Sequence, residues 1–199
     1  MKRRYALAAL TLASLLSGAA SGVENGLGFR STHEGESALL SQHVDPEQLR
    51  KLLIWDEGRK EWRPARNGET PTDASQILVL HLWADYCAPC REEFPIWKEV
   101  VATAASTYGE RVRVVFLSET ESSNAMDAFL TKYQARMPSV PHYQSAPLTA
   151  ALRASVPFSL PLPLTLVLDE RRAVRAAFVG PIARRRGEIS SVLSRLSAR

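Results

Sequence analysis

The chain holds two cysteines, Cys87 and Cys90, separated by Ala88-Pro89. A disulfide gains most as a scaffold staple when it closes a long loop, and this one would close a very short one. A structural zinc site needs four ligands. No second Cys-x-x-Cys is present, and His33, His43, His81 and His142 lack ligand spacing, so no metal is expected. The chemistry best suited to the pair is reversible thiol–disulfide exchange. A sulfur at the start of a helix meets free backbone N–H groups and the positive end of the helix dipole, which favour its thiolate. Cys87 is therefore expected to be the exposed nucleophile. Cys90, one turn on and deeper, is expected to resolve the mixed disulfide. Pro89 stiffens the loop between them. Metal binding and a bystander pair are the alternatives, and the strand–motif–helix setting decides against them.

That setting is read from the flanking sequence. Ile77 to Trp83 is nearly continuous apolar sequence, too short for an ordinary helix and bounded by polar turns, as expected of a central strand buried on both faces. Beyond Cys90, Phe94, Trp97, Val101 and Ala104 mark the inward stripe of a helix. Pro89 suits its first turn, whereas Pro95 is expected to kink it. Val112–Leu117 reads as a second buried strand. Met126, Phe129, Leu130 and Tyr133 follow with helical spacing. Strand, helix, strand, helix predicts parallel pairing with right-handed crossovers. Leu164–Leu168 and Ala173–Val179, joined by Asp169-Glu170-Arg171-Arg172, read as a hairpin, and Ile189, Val192, Leu193 and Leu196 as a closing helix. Residues 45–65 suit a short helix or an edge hairpin equally.

The first 22 residues place Lys2, Arg3 and Arg4 before the apolar run Ala6–Leu16 and a small-residue stretch, the layout of a secretory signal cleaved near Ala19 or Ala20. The apolar run is shorter than the roughly 20 residues that span a bilayer; an uncleaved inner-membrane anchor is the alternative. Residues 23–45 lack apolar periodicity and are expected to form a flexible tether, leaving 46–199 as one domain. At 199 residues and 45% hydrophobic, the chain can bury one substantial core. Without the leader it carries 22 basic against 21 acidic residues, a net charge of +1. Electrostatic capture of nucleic acid has no support, and Arg184-Arg185-Arg186 reads as the solvated start of the last helix.

The stretch Trp83-Ala84-Asp85-Tyr86-Cys87-Ala88-Pro89-Cys90-Arg91-Glu92-Glu93-Phe94-Pro95 resembles the active-site segment of TlpA/ResA-type thioredoxin-like proteins, and Leu162-Pro163-Leu164-Thr165-Leu166-Val167-Leu168-Asp169 is similar to their Val-Pro-Thr-Thr strand segment. The resemblance runs from about Ile77 to the C-terminus. It implies an α/β thioredoxin-like fold, a central mixed sheet flanked by helices, with the family's extra helix and strand inserted over Ser122–Phe158. It further implies that Pro163 is cis and faces the dithiol, leaving the preceding backbone free to pair with a substrate strand. Leu162 differs from the residue usual before that proline, so partner preference does not carry over. Glu93 falls on the family's active-site glutamate, the base for Cys90; read from the residues alone it is a solvated helix carboxylate, as its neighbour Glu92 is expected to be. His81 stands six residues before Cys87, where thioredoxin keeps a buried acid, and is a second candidate for moving that proton or else a core histidine. Trp83, Tyr86, Pro89 and Leu162 are expected to shape the substrate contact around the sulfurs, with a core role for the aromatics as the alternative.

The expected activity is thiol–disulfide exchange outside the cytoplasm with no cofactor beyond the Cys87–Cys90 couple. Its partners would be exported proteins, whose disulfides it reduces in the manner of cytochrome c maturation, and a membrane thiol donor that restores it. A disulfide oxidant or isomerase, and a redox-inert thioredoxin-like binding module, are the alternative readings. Neither the oligomeric state nor the substrate is legible.

Overall fold

The computed structural model describes residues 32–198. The leader expected over residues 1–22 lies outside them. No helix among the described residues is long and apolar enough to cross a membrane.

The strand Ile77–Trp83 (β3) organises the molecule. All seven of its residues are buried, and successive side chains point to opposite faces of the sheet. Ile77, Val79 and Trp83 enter one core layer, and Leu78, Leu80 and Leu82 the other. Among the described residues, four elements precede it: the helices Thr32–Leu40 (α1) and Pro46–Arg50 (α2), and a hairpin of Leu53–Asp56 (β1) and Glu61–Pro64 (β2). Both readings left open for residues 45–65 are thus realised in succession.

After β3 come the helix Ala88–Tyr108 (α3), the strand Val112–Ser118 (β4) and the helix Ser123–Lys132 (α4). β3 and β4 pair in parallel over seven registered residues, from Ile77–Val112 to Trp83–Ser118, as the alternating elements predict. The segment expected as an insertion contains α4, a short strand His142–Gln144 (β5) parallel to β4, and a helix Ala146–Ser155 (α5). The hairpin of Leu164–Leu168 (β6) and Val174–Val179 (β7) and the helix Arg186–Ser197 (α6) complete the domain. β6 lies antiparallel beside β3, giving a mixed sheet in the order β2-β1-β5-β4-β3-β6-β7.

The face of β3 that carries Val79 and Trp83 packs against Phe94 and Trp97 of α3, Met126, Phe129 and Leu130 of α4, and Ile189, Val192, Leu193 and Leu196 of α6. These are the inward stripes that helical periodicity marks. Val101 and Tyr133 are the exceptions, only half-buried where their stripes meet the surface. The helix α3 runs unbroken across Pro95, whose ring faces solvent. On that side, the carbonyl that loses its N–H partner stays within reach of water.

The flexible tether expected over residues 23–45 is corrected in its second half. Thr32–Leu40 form a helix (α1), and Leu39 and Val44 are fully buried in the second core layer. Backbone bonds from Val44 to Arg172 and from Val174 to Gln42 tie the following residues beside the start of β7. The Glu36 carboxylate accepts the Val179 N–H and pairs with Arg185. Residues 32–45 escaped the periodicity test because one short helix with a single fully buried leucine leaves no repeating pattern.

Candidate active site

Cys87 and Cys90 form a disulfide with Cα atoms 5.3 Å apart. The tight β3–α3 connection positions them, with Cys87 N–H bonded to the Ala84 carbonyl. Cys87 is the N-cap of α3, and its sulfur accepts the Cys90 N–H at 3.2 Å. The sulfur thereby occupies the place where an N-cap side chain satisfies a free donor of the first turn. Cys87 is 7% exposed and Cys90 0%. The expected order of depth holds, but Cys87 is more recessed than a freely exposed nucleophile. Pro89 and Ala88 between them face solvent.

The exit of β4 braces this loop. The Asp85 N–H donates to Thr120 Oγ1 at 3.0 Å, and that hydroxyl donates to Asp85 Oδ1 at 2.8 Å. The Glu119 N–H caps the end of β3 at the Trp83 carbonyl. The two aromatics expected around the dithiol part company. Trp83 is fully buried, its ring centroid 4.3 Å from Phe129 and 5.1 Å from Phe94, in the same core layer as both cysteines. Tyr86 is 69% exposed beside Cys87, and its hydroxyl donates to Glu119 at 3.0 Å. Partial burial, and then the Glu119 carboxylate, hold its phenol above the ordinary range.

The Leu162–Pro163 peptide bond is cis. Pro163 directly precedes Leu164, which is in register with Leu82 of β3, so it lies at the sheet end from which the Cys87 loop departs. Leu162 is half-buried and packs against both core layers.

Glu93 is not the solvated helix carboxylate that its residue type suggests. One helical turn after Cys90 on the same inward face, it is 1% exposed. Its Oε2 accepts the backbone N–H of Ile182 at 3.0 Å, and its Oε1 lies 3.1 Å from His81 Nε2, though not aligned as a hydrogen bond. His81 is 0% exposed and reaches this carboxylate because it lies on the α3-facing side of β3, with Val79 and Trp83. Its Nδ1 is 3.2 Å from Thr165 Oγ1, the side chain opposite it in the β3–β6 register. Trp97, Phe116 and Phe94 enclose the imidazole. The structure therefore brings His81 and Glu93, the two candidates for proton transfer, into contact. Glu92 is exposed, as expected.

Sequence reasoning missed three contributors. Thr165 carries a weak signal, as the one hydroxyl within the buried apolar run Leu164–Leu168. The Ile182 N–H carries none, since a backbone donor 89 residues from Glu93 leaves no side-chain trace. His142 is the third. It is buried at the start of β5 with its ring 5.1 Å from Phe116, and burial lowers its pKa to about 4. Neither ring nitrogen makes an aligned hydrogen bond, the Ala135 backbone offering only a weak contact. Among the described residues, no cluster of three or more metal-ligating side chains occurs.

No family model and no curated protein sequence matches the chain. Solved structures do. A secreted Mycobacterium tuberculosis disulfide oxidoreductase homologous to E. coli DsbE is similar at 19% identity and a TM-score of 0.52, covering 75% of this chain and 98% of that one. A thioredoxin-related protein from Neisseria meningitidis serogroup B gives 17% identity and a TM-score of 0.52 over 74% and 99%. A secreted thiol-disulfide isomerase from Corynebacterium glutamicum gives 20% and 0.52 over 63% and 72%. At these identities the likeness speaks to fold. With a mixed sheet flanked by helices and a Cys-x-x-Cys at the mouth of α3, the chain has the thioredoxin-like fold.

Proposed function

We propose that the protein is a thiol–disulfide oxidoreductase that reduces disulfides of exported proteins. The observation that carries this reading is the Cys87 sulfur seated as the N-cap of α3, accepting the Cys90 N–H, with its partner sulfur buried one turn below. In the reduced state, the backbone N–H groups and helix dipole that meet Cys87 Sγ stabilise a thiolate.

That thiolate attacks one sulfur of a substrate disulfide, whose S–S bond breaks to release the first substrate thiolate and leave a mixed disulfide on Cys87. The Cys90 thiol then gives its proton to the Glu93 carboxylate and attacks Cys87 Sγ. The Cys87–Cys90 disulfide forms as the second substrate thiolate leaves. Two electrons pass to the substrate, and a membrane thiol donor returns them to the pair. Glu93 suits this role through its place one turn from Cys90 and its nearly complete burial. Tyr86, Pro89 and Leu162 form the contact surface around Cys87. The leader-like N-terminus supports a site of action outside the cytoplasm.

The reduced protein is expected to accelerate insulin reduction by dithiothreitol, and Cys87→Ser to return the rate to background. Equal rates would remove the enzymatic reading. Direction is read from the reduction potential of the Cys87–Cys90 couple. A value well below that of a strong oxidant such as DsbA, about −120 mV, is expected, and one near it would make the protein an oxidant.

A further inference from the structure

We infer that His81, Glu93 and Thr165 act as one proton-handling unit, in which His81 is the positioning residue that lets Glu93 take the Cys90 proton without leaving an isolated charge in the core. The inference rests on the exchange reaction proposed above and specifies how its resolving step is served. Glu93 Oε1 and His81 Nε2 lie 3.1 Å apart, with the two side chains 1% and 0% exposed. A lone carboxylate at that depth is costly, and losing or gaining a proton there is cheap only if a partner compensates. The groups that face His81 decide what can compensate. From α3 come Glu93, Phe94 and Trp97, from β4 Phe116 and from β6 Thr165; His142 of β5 stacks on Phe116, and the dithiol lies in the same core layer. Of these, only Glu93 carries a titrating oxygen against the imidazole. Burial keeps His142 neutral, so it adds no charge near neutral pH.

The proton balance then closes within the unit. Before resolution, Glu93 Oε1 and His81 Nε2 share one proton across their 3.1 Å approach. As Cys90 releases its proton to the Glu93 carboxylate, the shared proton settles on Nε2. The products are the Cys90 thiolate, a protonated Glu93 carboxyl and an imidazolium. No charge is created at Glu93, and the net charge of the pocket is unchanged. Thr165 makes both states tenable. Its hydroxyl, 3.2 Å from Nδ1, accepts the Nδ1–H that the imidazole carries both while Nε2 faces the carboxyl proton and once Nε2 is itself protonated. The Ile182 N–H, bonded to Oε2, fixes the carboxyl plane throughout.

The two sulfurs can be followed separately when the reduced full-length protein is mixed with 5,5′-dithiobis(2-nitrobenzoate) in stopped flow. Attack by Cys87 releases the first thionitrobenzoate, and attack by Cys90 the second. His81→Asn and Glu93→Gln are each expected to slow the second phase at least tenfold near pH 7 and to shift its pH profile, leaving the first phase within about twofold. The double variant should be no slower than the slower single one, since groups acting as a unit are not additive. Thr165→Val, which keeps shape but removes the hydroxyl, should shift the second-phase pH profile and so tests the unit even if His81→Asn fails to fold. A second phase unchanged in rate and pH profile in either His81→Asn or Thr165→Val, while Glu93→Gln slows it, would overturn the inference. Absence of both phases in the wild type would instead refute the underlying exchange reaction.

Discussion

The site turns on residues whose chemical type is a poor guide to their surroundings. Glu93 shares its helix with the exposed Glu92, and only its position one turn from Cys90 sends it inward. That much was legible only through the family resemblance, since residue type alone suggests a solvated carboxylate. Its partners were not, since the His81 imidazole and the Ile182 N–H reach it from segments 12 and 89 residues away. His142 shows the same limit and has a measurable consequence. An imidazole whose folded pKa is depressed to about 4 from 6.5 leaves the unfolded chain binding more protons between those values. Its contribution is therefore intact above about pH 6.5 and declines as pH falls toward 4, by about 3 kcal/mol in total. His142→Phe keeps a ring to stack on Phe116 and gives up no aligned hydrogen bond. Urea unfolding between pH 7 and 4.5 should show a shallower loss of stability in the variant than in the wild type. Parallel curves would mean that the native imidazole protonates freely.

At the scale of elements, β3, α3, β4, α4, the β6–β7 hairpin and α6 all follow from periodicity, because each has one face or two committed to a core. Elements committed less fully were harder to read. The three-residue β5 is too short to display a period, and α1 buries one leucine completely. The helix α4 joins the inserted segment to the site. Its Phe129 ring lies against Trp83, the last residue of β3 before the cysteine loop. Ser122 starts this helix by accepting the Ala125 N–H at its hydroxyl. Ser122→Ala removes that acceptor and is expected to cost about 1 kcal/mol in urea unfolding, with Ser122→Asp restoring it. The first phase of thiol exchange should stay unchanged, because the cap touches neither cysteine. If Ala at this position costs nothing, the first turn of α4 is held by packing alone.

The whole molecule extends beyond the boundary that composition suggests. The edge strand β7 and the core layer beneath it are closed by residues 32–45, through Leu39, Val44, the backbone bonds to Arg172 and Val174, and the Glu36 carboxylate at Val179 and Arg185. A chain beginning at residue 46 would leave that layer open to water and part of a strand edge unprotected, a configuration prone to association. Burying a leucine and a valine contributes about 1.5–3 kcal/mol each, so the loss is at least about 3 kcal/mol. For a domain of this size that corresponds to a fall in Tm of order 10 °C. Calorimetry on chains beginning at residues 23 and 46 would measure it, with the shorter one also expected to aggregate at lower temperature. The shorter chain should still show two phases of thiol exchange well below its Tm, since β3, α3 and β6 carry every group that acts on sulfur. Equal Tm values would place α1 outside the cooperative unit. Loss of exchange in a folded short chain would mean that the strap on β7 reaches the dithiol through β6, and that the redox site and the domain edge are one mechanical unit.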